Sequence, residues 1–543
     1  MKRLFLLLFI FGISQSLEAQ NPFNENPKLV VGIVVDQMRY DYLTRFWDKF
    51  EENGFKKLVN EGFIFRNNHF NYVPTYTGPG HASVFTGTTP ANHGIISNSW
   101  FDKTQKRFVY CAGDGAVEPV GTKSAAGKMS PHRLNATSIA DENRLHTQLR
   151  GKTIGIALKD RGAILPAGHS ANAAYWFHGQ DEGKWITSSY YMTELPLWVQ
   201  DFNNSKKVDS YLKTWNPVLN IESYQESGVD ENKFEAGFRG KETTTFPYNL
   251  KELAADNGNY DIIKATPFGN DLTTDFAKAA IVGENLGQDQ ETDFLTLSYS
   301  STDYIGHNFG VNSKEVEDAY LRLDKNLADL LQFLDQKIGV NQYTLFLTAD
   351  HGGVDVPSYL NSVKIPAGYL NETSFTENFQ NYIKTEFKED SLVLNVSNSQ
   401  VFLNYELMKE KKMDPAMVQN NIASYLLQQD QISKVFTRQQ LMNSTFAEGI
   451  PLAVQRGFNQ KRSGDVIFVL DPGVIVYPET GSTHGSGFAY DTHVPLIFYG
   501  YGIKKGNSSK RSEIPDIAPT LAVLLGISFP NSSTGKVLDV LLD

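Results

Sequence analysis

Five short apolar runs predict the strands at the centre of this protein. They are rich in β-branched residues and do not alternate with polar residues, which is typical of strands covered on both faces. The runs lie at residues 28–37, 153–158, 293–301, 343–349 and 494–499. Such strands form sheets in which parallel pairs predominate.

Two segments have the apolar spacing of helices that pack on a sheet. The first lies between residues 301 and 343, where Asn312 or Ser313 can cap its start, and the second covers residues 516–527. The first helix lies between two predicted strands, so residues 293–349 predict a parallel βαβ unit. The chain as a whole is therefore predicted to be an α/β protein with a doubly wound, mostly parallel central sheet.

Two stretches without clear periodicity are predicted to be insertions. Residues 175–260 are rich in Tyr, Trp, Asn and Ser, and residues 356–480 contain mixed short elements. We therefore expect one large α/β domain over residues 20–543, carrying both insertions, instead of a series of separate domains.

The first residues predict export. Lys2 and Arg3 precede an apolar stretch from Leu4 to Ile13, and Ala19 offers a small residue for cleavage. This stretch is too short to span a bilayer comfortably, and no Cys follows it to accept a lipid. We predict a removable signal peptide at 1–19, a periplasmic or secreted protein, and no membrane anchor after cleavage. An uncleaved anchor is the alternative.

The net charge and the cysteine count limit which molecules this protein can bind and how it can be stabilised. The formal net charge is −11, which argues against nonspecific binding of nucleic acid. Cys111 is the only cysteine, so no internal disulfide can form and stability has to come from the core and from bound metals. The oligomeric state is left open by the sequence.

Three aspartates and three histidines occupy places where predicted strands or helices should end. Because ligands gather at the carboxyl ends of parallel strands, we expect these side chains to converge. A single Asp at such a place is usually a cap or a turn residue, but a set this large is not explained by capping alone. Three carboxylates and three imidazoles suit two divalent metals and metal-assisted displacement at phosphorus or sulfur. The set is Asp36, Asp303, His307, Asp350, His351 and His484.

Thr77 is the candidate nucleophile. It lies in TYTGPGH, just before a predicted helix whose N-terminal N–H groups suit an anion. A threonine hydroxyl attacks poorly unless a metal or base lowers its pKa. Without the metal set, a capping or turn role for Thr77 would be the better interpretation.

Asn98, Lys159 and Arg161 are the candidates for holding an oxyanion. Asn98 lies downstream of the Thr77 segment, and Lys159 and Arg161 follow the predicted strand at 153–158. An Arg fork and a Lys ammonium suit the outer oxygens of a phosphate, although a solvated loop pair is the alternative.

The chain resembles the alkaline phosphatase superfamily, and more closely its secreted phosphomonoesterases of the PafA type, which use a single threonine. The similarity runs in family order from residue 28 to the C-terminus. It is carried by VVDQMR, TYTGPGHASVFTGTTPANHGI, SNSWFD, KDRG, DYIGHNFG, TADHGG, STHGSG and DIAPTLAVLLGI.

The resemblance implies the fold of that superfamily, two zinc ions and hydrolysis of small phosphate monoesters through a phosphothreonine. It assigns Asp303, His307 and His484 to one zinc, and it assigns Asp36, Asp350 and His351 to the other, with Thr77 bridging toward the second. Asn98, Lys159 and Arg161 match positions that contact phosphate. Cobalt or manganese would also suit these ligand types.

The sequence offers three alternatives to a phosphomonoesterase. A sulfatase requires Cys or Ser in a context that this chain lacks at position 77. A phosphodiesterase or nucleotide pyrophosphatase of the same superfamily shares the metal set, but the Lys159–Arg161 pair favours a dianionic monoester by charge count. A binding protein with structural metals would not need the complete nucleophile and oxyanion set.

Overall fold

A ten-stranded sheet forms the centre of the protein in the computed structural model, which describes residues 26–542. The predicted signal peptide lies outside these residues. In spatial order the strands are Gly506–Ser508, Phe63–Phe65, Leu496–Gly500, Tyr343–Thr348, Leu29–Val35, Asp293–Tyr299, Thr153–Ala157, Ala173–His178, Lys184–Ser188 and Pro119–Val120.

The five strands from Tyr343–Thr348 to Ala173–His178 are all parallel to one another. The strand Leu29–Val35 lies in the middle, and its residues are completely buried, as its β-branched composition predicts. Antiparallel strands flank this block on both sides, through Leu496–Gly500 and Lys184–Ser188. The predicted fold class, an α/β protein with a large and mostly parallel sheet, is confirmed.

Helices connect and cover these strands. The predicted βαβ unit contains the helices Ser301–Phe309 and Lys314–Lys337, and the apolar stripe of the second is buried. The α-helices are Tyr42–Arg45, Phe55–Glu61, Thr77–Thr86, Pro90–His93, Ile139–His146, Asp160–Ala167, Leu197–Asn204, Leu250–Leu253, Phe268–Gly283, Ser301–Phe309, Lys314–Lys337, Pro357–Ser362, Glu372–Phe387, Tyr405–Glu410, Pro415–Leu426, Arg438–Asn443, Gly449–Gly457, Ala489–Thr492 and Ile517–Leu525.

The region predicted as the first insertion begins later than position 175. Residues 173–178 and 184–188 are strands of the central sheet, and their aromatic side chains pack into its main core. Tyr and Trp are as suitable for a buried strand as for a decorating loop, so composition alone placed the boundary too early. From residue 190 to 260 the chain forms short helices and one small strand pair, Thr214–Trp215 with Tyr248–Asn249.

Most of the strands in residues 356–480 form a separate antiparallel sheet. Its order is Val393–Ser397, Gln400–Leu403, Val466–Leu470 and Ile432–Thr437. Two helices, Glu372–Phe387 and Pro415–Leu426, bury their apolar faces in the same small hydrophobic cluster. The other small strand pairs are Asn68–His69 with Ser512–Glu513, Ser99–Asp102 with Arg107–Tyr110, and Gly368–Tyr369 with Val474–Ile475.

Candidate active site

The six predicted metal ligands converge at the carboxyl ends of the parallel strands. Asp36 directly follows the central strand, and Asp350 and His351 follow the neighbouring strand Tyr343–Thr348. Asp303 and His307 lie one turn apart on the helix Ser301–Phe309, as their spacing predicted. His484 comes from a loop far along the chain. His307 is partly exposed, and the other five side chains are buried.

Carboxylates and imidazoles pair closely within this cluster. The Nε2 atom of His307 lies 3.2 Å from the Oδ1 atom of Asp303, and that of His484 lies 3.6 Å from the same oxygen. The Nε2 atom of His351 lies 3.4 Å from Asp36 and 3.5 Å from Asp350. Two groups have ligand atoms close enough to hold one cation each: Asp36, Asp350 and His351, and Asp303, His351 and His484. His351 therefore lies between both groups.

All three imidazoles are oriented by their second nitrogen. The Nδ1 atoms of His307, His351 and His484 lie 2.7–2.9 Å from the backbone carbonyl oxygens of Ser482, Gly352 and Thr75, respectively. A carbonyl only accepts, so each Nδ1 carries a proton, and in the neutral imidazole the lone pair of Nε2 then faces the carboxylates. This is the tautomer that a metal-binding histidine requires.

Several buried polar atoms of the cluster lack a hydrogen bond among the described residues. They are the Oδ1 atom of Asp36, the Oδ2 atom of Asp350 and the Nε2 atom of His351. Leaving buried acceptors unsatisfied is costly unless another partner binds them. Acceptor atoms with buried lone pairs and no donor are what a cation site requires, so these residues fit divalent metal ions.

Lys159 links the two carboxylates that belong to different groups. Its Nζ atom lies 2.6 Å from Asp36 and 2.5 Å from Asp303, and the side chain is almost completely buried. Burial and Asp303 raise the pKa of Asp36, but Lys159 and His351 outweigh them and hold that pKa well below its usual range. Burial lowers the pKa of His351, yet Asp350 and Asp36 raise it to about 9. The cluster is therefore strongly coupled electrostatically.

Thr77 is the first residue of the helix Thr77–Thr86, which we call the Thr77 helix. The residue is only 1% exposed, and the Nη2 atom of Arg161 donates a long hydrogen bond of 3.4 Å to its hydroxyl. This helix approaches the metal-ligand cluster very closely. A Cβ atom on Gly80 would lie 2.3 Å from the carbonyl oxygen of Asp350. The structure thus places Thr77 and Arg161 together beside the cluster.

The start of the Thr77 helix differs from the prediction in one respect. Its N–H groups were expected to be available to an anion, but the Gly78 N–H donates a 2.7 Å hydrogen bond to the Oδ1 atom of Asn98, and Pro79 has no N–H. Asn98 is thereby tied to the helix through its oxygen. The side-chain amide nitrogen of Asn98 is then a donor suited to a phosphate oxygen.

Gln37 and His81 contact the site although the sequence did not predict either of them as a site residue. Gln37 donates from its side chain to Asp303 at 2.9 Å and from its backbone to Asp350 at 3.1 Å. The Nδ1 atom of His81 lies 2.9 Å from the Thr77 carbonyl oxygen and 3.2 Å from Asp350. Their positions next to Asp36 and four residues after Thr77 were the available signals.

The fold and this site together define the class of the protein. Residues 30–493 match the family described as type I phosphodiesterase / nucleotide pyrophosphatase. Because the match covers most of the chain, the protein belongs to this family. The predicted similarity to the alkaline phosphatase superfamily is confirmed by relatives that are named alkaline phosphatase.

Individual relatives match almost the whole chain. Alkaline phosphatase PafA of Elizabethkingia meningoseptica is 43% identical, and the match covers 98% of this chain and 97% of PafA. Alkaline phosphatase PhoV of Synechococcus elongatus is 44% identical, and the match covers 95% of this chain and 93% of PhoV. A Myroides odoratus protein named calcium-transporting ATPase is 44% identical over 94% of both chains. The crystal structure of wild-type PafA superposes with a TM-score of 0.91 at 41% identity, over 95% of this chain and 99% of PafA.

Proposed function

We infer that this protein is a phosphate-monoester hydrolase of the alkaline phosphatase type, and we propose that Thr77 is its nucleophile. The observation that carries the proposal is the buried Thr77 hydroxyl, which contacts the guanidinium of Arg161 at the start of a helix that packs against Asp350 of the ligand cluster. Full-length similarity to proteins named alkaline phosphatase supports the reaction class. Small phosphorylated compounds are the proposed substrates.

We propose zinc as the metal, with two ions held by the six ligands. The unsatisfied oxygens of Asp36 and Asp350 and the oriented Nε2 atoms of the histidines support this assignment. Bound there, such ions would supply positive charge for the attacking and leaving oxygens and lower the pKa of a coordinated hydroxyl. The partition into one set of Asp303, His307 and His484 and another of Asp36, Asp350 and His351 stays a prediction, because His351 lies between both groups.

The protein's own side chains account for the remaining chemistry. The Oγ1 atom of Thr77 forms a bond to phosphorus while the bond to the ester oxygen breaks, and the alcohol leaves with a proton. The resulting phosphothreonine is then hydrolysed by water. Arg161, Lys159 and the amide nitrogen of Asn98 stabilise charge on the non-bridging oxygens. Beside Lys159 and Arg161, a cavity of about 250 Å³ offers room for the alcohol part of a substrate.

Replacing Thr77 by Ala tests the nucleophile. Turnover of a chromogenic monoester should fall at least about 1,000-fold, because alanine lacks the hydroxyl that is proposed to attack phosphorus. Zinc content, measured by elemental analysis, should stay unchanged. Thr86→Ala is the matched control, since Thr86 lies in the same helix and bonds only to the Ala82 carbonyl. Substantial monoester turnover by Thr77→Ala would contradict the assignment.

A diester reaction is the second candidate, because the matched family is described as phosphodiesterase / nucleotide pyrophosphatase. Lys159 and Arg161 provide two positive charges at the site, which favours a dianionic monoester over a monoanionic diester. Comparing kcat/KM for a monoester and a diester with the same leaving group separates the two. A higher value for the diester would reverse our assignment.

Export is proposed from the signal-like residues 1–19, which the structure does not describe. In residues 26–542, no helix is both long and apolar enough to span a bilayer. Expression of the full chain followed by fractionation and N-terminal sequencing tests the proposal. Mature protein beginning near residue 20 outside the cytoplasm is the expected result, and uncleaved protein in the membrane fraction would contradict it.

A further inference from the structure

Two buried glutamates form a second acidic site, which the proposed reaction does not use. Glu315 lies in the first turn of the helix Lys314–Lys337 and is completely buried. Glu235 lies in the segment 228–249 and is 5% exposed. We call this segment the buttress segment, because it packs against elements that carry predicted metal ligands.

Three of the four carboxylate oxygens of these glutamates lack hydrogen-bond partners. Neither oxygen of Glu235 has a hydrogen-bond partner in residues 26–542, and the Oε2 atom of Glu315 has none either. Thr244 and Asn232 face Glu235 and lower its pKa, but no donor reaches it with hydrogen-bond geometry. Within the same residues, no Lys, Arg or His is hydrogen-bonded to Glu235 or to the Oε2 atom of Glu315.

Burial makes this arrangement expensive for free carboxylates. Burial and the Glu315 carboxylate raise the pKa of Glu235 to about 10, and burial raises the pKa of Glu315 to about 8. Asp230 adds further negative charge and raises both values. Buried carboxylates are normally neutralised by a proton, by a cationic side chain or by a metal ion.

We propose that Glu235 and Glu315 bind a calcium ion. Calcium prefers six to eight oxygen ligands in flexible geometry and accepts carboxylates and backbone carbonyls alike. The Tyr248 hydroxyl contacts both the Thr244 carbonyl oxygen and the Oε1 atom of Glu315, so a carbonyl oxygen lies beside the carboxylates. The glutamates and the carbonyl offer only oxygen ligands, whereas the metal-ligand cluster also contains imidazole nitrogens paired with carboxylates.

The position of this site gives it a structural role. In the buttress segment, the Ala236 N–H donates to the Asn308 carbonyl at 2.8 Å, and the Phe234 carbonyl accepts from the Gly481 N–H at 2.8 Å. Asn308 follows His307, and Gly481 precedes His484 by three residues. A calcium ion that fixes the buttress segment would therefore stabilise the backbone that follows His307 and the backbone that precedes His484.

Replacing both glutamates by Gln tests the site. Glu235→Gln/Glu315→Gln keeps the shape of each side chain and matches the protonated state that the raised pKa values favour without a cation, so the variant should fold. Calcium binding to zinc-loaded protein, measured by equilibrium dialysis, should weaken at least about 100-fold. Glu142→Gln is the matched control, because Glu142 is also buried but accepts a hydrogen bond from Thr137.

Thermal unfolding gives a second measurement. Calcium should raise the Tm of the zinc-loaded wild type and of Glu142→Gln, and it should not raise the Tm of the double variant.

Luminescence of terbium, which substitutes for calcium, locates the ion. Trp215 lies 5.4 Å from the ring of Tyr248, whose hydroxyl contacts Glu315, so both rings should transfer excitation energy to a bound terbium. Trp215→Phe should weaken this signal while calcium affinity stays within about twofold. Equal calcium binding by the wild type and the double variant, or none by the wild type, would overturn the proposal and leave a shared proton between the carboxylates.

Discussion

Arg161 is held in place by groups on both sides of its guanidinium. Its Nη1 atom donates to the Tyr110 hydroxyl at 3.2 Å, and that hydroxyl donates to Asp160. Its Nη2 atom lies 3.4 Å from the Thr77 hydroxyl. A guanidinium fixed in this way needs little rearrangement to bind two phosphate oxygens at once.

Arg161→Ala should therefore reduce monoester kcat/KM by about 100- to 1,000-fold. The loss with a diester should be much smaller, since a diester has one charged oxygen fewer for the guanidinium to contact. Parallel assays of both substrates measure the difference. Arg150→Ala serves as control, because Arg150 is exposed and pairs only with Glu291. Equal losses on both substrates would refute the proposed contact.

At this scale the sequence predicted which residues meet but not how they are connected. Aspartates and histidines that follow β-branched runs could be recognised because strand ends converge. The backbone twist that turns Gln37 toward Asp303 and Asp350 involves a φ of 63°, which residue type does not predict for Gln. The choice of carbonyl for each imidazole likewise depends on loops that meet only in the fold.

The Thr77 helix depends on close contact between elements. Gly80 lies where this helix crosses the chain after the strand Tyr343–Thr348, with the Asp350 carbonyl in the space that a Cβ atom would fill. Backbone this close fixes the distance between Thr77 and the metal-ligand cluster. A glycine in a helix is normally unfavourable, so its presence here is explained by the contact.

Gly80→Ala should consequently destabilise the protein by about 1–3 kcal/mol and lower turnover, although Ala is the better helix former. Urea unfolding and monoester assays measure the two effects. Gly115→Ala is a suitable control, because nothing lies within 4 Å of the Cβ atom it would add. If Gly80→Ala left stability and turnover unchanged, the backbone at Asp350 could move away from the added methyl group without loss of free energy, which would contradict the prediction.

The sequence predicted where strands form better than it predicted which sheet or insertion each strand belongs to. The five apolar runs all form central strands, whereas the aromatic strands Ala173–His178 and Lys184–Ser188 were assigned to an insertion. Periodicity describes which residues are buried, but both a central sheet and a decorating subdomain bury aromatic residues. The parallel pairing of Ala173–His178 with the strand Thr153–Ala157, which begins with Ala173 opposite Ile154, shows that this aromatic strand belongs to the central sheet.

On the scale of the whole molecule, the metal-ligand cluster joins segments that are far apart in sequence. The ligands come from two neighbouring parallel strand ends, from the helix Ser301–Phe309 and from the loop around His484. Without cations, Asp303 raises the pKa of Asp36 and Asp36 raises the pKa of Asp350, and Lys159 and the histidines oppose this repulsion. Bound metals should thus stabilise the global fold as well as the reaction.

Chelation should accordingly lower both monoester turnover and the Tm. Turnover should fall by a factor of about 100 or more, because a threonine hydroxyl without a bound metal is a weak nucleophile. Added zinc should restore it, because the ligand set fits metal ions. Calorimetry on the Glu235→Gln/Glu315→Gln background separates this effect from that of calcium. Full activity after exhaustive chelation would exclude the metal-assisted proposal.

The distance in sequence between the first and last ligands has a consequence for biosynthesis. Asp36 leaves the ribosome long before His484 has been synthesised. A nascent chain that stops before His484 therefore lacks part of the ligand set. Hydrolysis should become available only after His484 has been added, so its appearance can serve as a timing signal for maturation in pulse-labelled cells.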